Sequence, residues 1–60
     1  MTKIEATNEA VRQSQANGGD RRYAVKWNHP TSGENWTVEI RKPSLAGECL
    51  LAVDGQLEHA

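Results

Sequence analysis

The chain reads as an α+β fold: an N-terminal helix, a three-stranded antiparallel β-meander and a possible short fourth strand. Three observations predict it. A helix-capping pattern opens the chain and a glycine pair ends it at Gly18-Gly19. The hydrophobic period then changes from helical spacing to two. Finally, three alternating runs are separated by Pro- and Gly-containing loops, with Asp54-Gly55 closing the last of them.

Thr2-Lys3-Ile4-Glu5 fits the capping box, in which a Thr hydroxyl and a Glu carboxylate satisfy early helix N–H groups. Residues 6–16 tolerate a helix, and Asn17-Gly18-Gly19 supplies the left-handed stop. A stripe of Ile4, Asn8, Val11 and Gln15 is the expected inner face, with only two apolar members. Such a helix depends on tertiary contact, because short helices are marginal alone in water.

After Gly19, Tyr23, Val25 and Trp27 alternate with Arg22, Ala24 and Lys26. Trp36, Val38 and Ile40 alternate with Thr37, Glu39 and Arg41, and Cys49, Leu51 and Val53 with Glu48, Leu50 and Ala52. Asp54-Gly55 is a strong tight-turn dipeptide, so Gln56–His59 can return as a fourth strand carrying Leu57. Residues 1–19 therefore form a helical or flexible arm, and 20–60 a small antiparallel sheet domain.

Register follows from the two tryptophans that bracket WNHPTSGENW. Pairing Trp27 with Trp36 sets Val25 opposite Val38 and Tyr23 opposite Ile40. Pairing the second strand with the third sets Ile40 opposite Cys49 and Glu48 beside Arg41. Nine apolar side chains then share one face, and a slip of one residue would invert any strand. That slab needs a cover, since a small sheet with a bare apolar face is not stable alone. The helix is a thin lid, so a sheet-on-sheet homodimer is expected, two-fold dimers being the commonest oligomers.

Composition bounds the function. At 60 residues the chain is one domain that buries about 60% of its unfolded surface. Net charge is −1, with a modest basic excess between residues 20 and 43. Cys49 is the only cysteine, which excludes an intramolecular disulfide, and no zinc-ligand spacing exists. No cofactor or metal is expected. No apolar run is long enough to span a membrane, and MTKIEATNEA lacks a secretion signal, so a cytoplasmic location is expected. Asn35-Trp36-Thr37 matches a glycosylation sequon, read here as chance.

His29 stands near Ser32 and Glu34, but no nucleophile elbow or orienting group accompanies it, and Gly18-Gly19 precedes a strand instead of following one. These features predict a non-enzymatic chain. The expected function is a protein-interaction module acting as a regulator, inhibitor or assembly factor on a partner protein. Its candidate contact residues are Arg22, Lys26, Arg41 and Leu50 on the polar sheet face, and His29 in the loop. The alternative is a nucleic-acid binder using Arg21, Arg22, Lys26, Arg41 and Lys42 on a basic sheet face. Tyr23 and Trp27 alternate with those charges, so rings and cations would meet opposite sides of the sheet.

Overall fold

A computed structural model describes residues 1–27 and 35–59. Helix α1 (Lys3–Ala16) is followed by β1 (Arg22–Lys26), β2 (Trp36–Glu39), β3 (Glu48–Val53) and β4 (Gln56–His59). The α+β arrangement, the helix bounds, the antiparallel pairing and the fourth strand agree with the sequence reading. So do the helix ends. The Thr2 hydroxyl accepts from the Glu5 N–H at 3.1 Å, and Glu5 Oε1 accepts from the Thr2 N–H at 2.9 Å. Gly18 and Gly19 take φ of +72° and +87° just past the helix end, where glycine avoids the Cβ clash.

Strand order differs from expectation: the sheet runs β2-β1-β3-β4. β1 is central, and β3 pairs with β1, not with β2 as the expected register required. The β1–β3 register matches the expected face, Val25 opposite Cys49 and Tyr23 opposite Leu51. β2 is the strand that moves. Trp36 lies opposite Lys26 and Val38 opposite Ala24, one residue away from the Trp27–Trp36 pairing. That slip puts Trp36 and Val38 on the face of Ala24, Leu50 and Ala52, so the nine-residue slab does not form.

The helix covers this second face. Ala6 and Ala10 pack with Ala24, Trp36, Leu50 and Ala52, and Val11 and Val38 close the margin. The inner stripe is thus Ala6, Ala10 and Ser14, all fully buried, while Ile4, expected inward, is 72% exposed. Small side chains four apart form one helix face and let the backbone approach the sheet closely. Leu50, expected as an exposed contact residue on the polar sheet face, instead joins Ala24 and Ala52 as the floor beneath the helix and is 8% exposed.

Polar bonds pin both ends of the helix to the sheet. Ser14 Oγ, fully buried, accepts from the Asp54 N–H at 2.9 Å. At the other end the Met1 carbonyl accepts from the Trp36 N–H at 3.3 Å, and Lys3 Nζ meets Glu48 Oε2 at 3.1 Å. Glu48 therefore pairs with the helix, not with Arg41 as the expected register had it.

Candidate interaction surface

β2 ends beside Tyr23 at the start of β1, whereas β3 begins beside Lys26 at its end. The chain must recross the sheet between them, and the helix already occupies one face. Residues 40–47 make that crossing on the other. There Lys42, Pro43, Ser44, Ala46 and Gly47 surround a cleft of about 450 Å³ that ends on Glu48 and Cys49. The Gly47 N–H donates to the Lys26 carbonyl at 2.8 Å, fastening the far end of the crossing. Val25, on this face, is fully buried, as a residue beneath such a strap should be.

Alternation places Tyr23, Val25, Thr37, Glu39, Cys49, Leu51, Val53 and Glu58 on the strap side. Tyr23, Leu51 and Val53 are half-buried. Trp27 joins them: its indole N–H donates to Thr37 Oγ1 at 2.7 Å, and that hydroxyl donates to Glu39 Oε2 at 2.8 Å. The two tryptophans thus serve opposite faces, Trp36 in the helix-side core and Trp27 on the strap side.

The 40–47 segment carries two large exposed apolar side chains, Ile40 at 67% and Leu45 at 84%. Arg41 and Lys42 between them are exposed too. Exposure of large aliphatic side chains is ordinary singly; here two stand on one short connecting segment. Both lay outside the expected site. The sequence pointed the other way for Ile40, whose alternation with Trp36 and Val38 placed it on the apolar slab, whereas β2 ends at Glu39 and leaves it exposed.

The expected contact residues do not converge. Arg22 and Lys26 stand on the helix side of β1, about 13 Å apart along the strand. Arg22 is held there by Gln13 Oε1, which accepts from its Nε at 3.3 Å. Arg41 and Lys42 belong to the strap, Arg21 precedes β1, and Leu50 lies in the core. His29 lies outside the described residues. The five basic residues of the nucleic-acid alternative are therefore divided between the two sides of the sheet.

Electrostatics add little chemistry here. Burial pushes the Cys49 thiol above its ordinary pKa, with Lys42 opposing the shift, so the thiol stays protonated near neutrality. Among the described residues no group of His, Cys, Asp and Glu is placed to hold a metal ion. None of the helices there is long and apolar enough to cross a membrane.

Comparison with protein-family models, curated proteins and solved structures finds no match.

Proposed function

We propose that this chain is a small non-catalytic protein-interaction module, a regulator, inhibitor or assembly factor that meets a partner protein through the strap side of its sheet. The observation that supports this most is the pair Ile40 and Leu45, held exposed on a segment fastened at Gly47 and seated over the sheet. Two apolar anchors with Arg41 and Lys42 between them in the chain have the composition of a binding site, where buried anchors carry most of the affinity. The same reading puts the protein in the cytoplasm, with Cys49 reduced.

The test is capture of a partner on immobilised protein, followed by binding of the purified partner to wild type and to Ile40→Asp and Leu45→Asp. Loss of an anchor should weaken binding by about tenfold or more, while circular dichroism stays unchanged. Equal binding by both variants would remove the strap from the site. Binding to generic DNA or RNA at low salt, falling steeply as salt is added, would favour the nucleic-acid reading instead.

A further inference from the structure

We propose that the outer edge of β4 pairs antiparallel with the same edge of a second copy, joining two four-stranded sheets into one. This surface is separate from the strap, and the inference does not rest on the reading above.

The direction of the backbone groups on β4 is fixed twice. Asp54 and Gly55 have φ of +50° and +82°, the two-residue turn that closes on a hydrogen-bonded pair, here Val53 with Gln56. Bonded and non-bonded pairs alternate in an antiparallel ladder, so Leu57 and His59 turn their N–H and C=O groups outward. Counting from the other side gives the same phase. The Trp27 N–H bonds to the Asn35 carbonyl, which turns Ala24 toward β3 and Leu51 toward β4.

The two sheet edges are not equivalent. On β2 the outward Trp36 N–H is taken by the Met1 carbonyl. Every residue of β4 is exposed, and this short strand carries no proline, no lysine and no bulge, its one acidic side chain being Glu58. Leu57 lies opposite Ala52 on the helix side, yet the packed core there does not include it and it is 48% exposed.

Two-fold symmetry selects a register. Centring the pair on Leu57 sets Leu57 against Leu57 of the other copy and Glu58 against Gln56, a carboxylate beside an amide. Moving the centre to Glu58 sets the two carboxylates face to face, which is unfavourable. The Leu57-centred pairing matches apolar with apolar and leaves no like-charge contact, so the edge is complementary to itself.

Sedimentation at rising concentration, up to about 1 mM, should show a monomer–dimer equilibrium for the wild type. Leu57→Pro removes an N–H that points away from β3, at a position where an edge strand accepts proline. It should raise the dimer dissociation constant by about tenfold or more while amide spectra show the sheet intact. Leu57→Lys, which charges the edge without touching the backbone, should act alike. In a Cys49→Ala background, Leu57→Cys should form a disulfide dimer on mild oxidation, because directly opposed residues lie within disulfide reach. Glu58→Cys should oxidise far more slowly. A wild type that stays monomeric overturns the proposal. So does a dimer that survives Leu57→Pro but fails with Leu45→Asp, which would move the contact to the strap. Faster cross-linking through residue 58 than through 57 would refute the register.

Discussion

The two tryptophans offer the sharpest test of the sheet's two-sided construction. Trp36 is 8% exposed and packs in the helix-side core; Trp27 is half-buried on the strap side. Replacing a buried Trp by Ala removes its transfer free energy and leaves a cavity, about 3–5 kcal/mol together. Lys3 Nζ stands 5.8 Å from the Trp36 ring centroid, a further small loss on truncation. A domain of 60 residues has about 3–9 kcal/mol in total, so Trp36→Ala should leave much of the chain unfolded without denaturant. Trp27→Ala gives up partial burial and the indole bond to Thr37, about 1–2 kcal/mol. Urea unfolding followed by far-ultraviolet circular dichroism reads both without relying on tryptophan emission. The reasoning fails if Trp27→Ala costs as much as Trp36→Ala, because the rings would then share one core.

Ser14→Ala removes the hydroxyl that accepts from the Asp54 N–H, and should cost about 1–2 kcal/mol with faster exchange of the Asp54 amide; an unchanged amide would refute the pin. Gly55→Ala places a Cβ at φ of +82°, 2.7 Å from Gln15 Nε2, which is free to swing away. The left-handed backbone alone should therefore cost about 1–2 kcal/mol, read as a lower urea midpoint. Cys49 has a raised thiol pKa in the fold, so its contribution is present below the ordinary thiol pKa and is lost as pH rises through the folded value. Unfolding midpoints should drop in alkaline buffer for the wild type and hold for Cys49→Ala, and native Cys49 should alkylate far more slowly than the unfolded thiol.

Local chemistry carried much of the fold. A hydroxyl and a carboxylate three residues apart cap a helix wherever it later docks, as Thr2 and Glu5 do. Asp54-Gly55 turns the chain because of the backbone conformations its residues accept. The alternation in 22–26 and 48–53 likewise located two strands and their shared faces. The candidate site was less legible. Arg22, Lys26, Arg41 and Leu50 looked equivalent as outward residues of one face, and only the structure separates a rim, a strap and a core.

What the sequence by itself determined is the set of elements, their ends and the β1–β3 face, since each rests on interactions within a few residues or on unbroken alternation. Tertiary structure alone decided the register of β2 and which strand is central. Residues 27–35 separate β1 from β2, and a connection of that length does not dictate which residues face each other. The choice fell to packing: Trp36 gains more beneath a helix whose inner stripe is Ala6, Ala10 and Ser14 than on a face that the 40–47 crossing must share. In β3, Cys49 through Val53 is apolar without interruption, as suits a strand covered on both sides. An alternating pattern tells that two faces exist; only the assembled layers tell which of them is hidden, and by what.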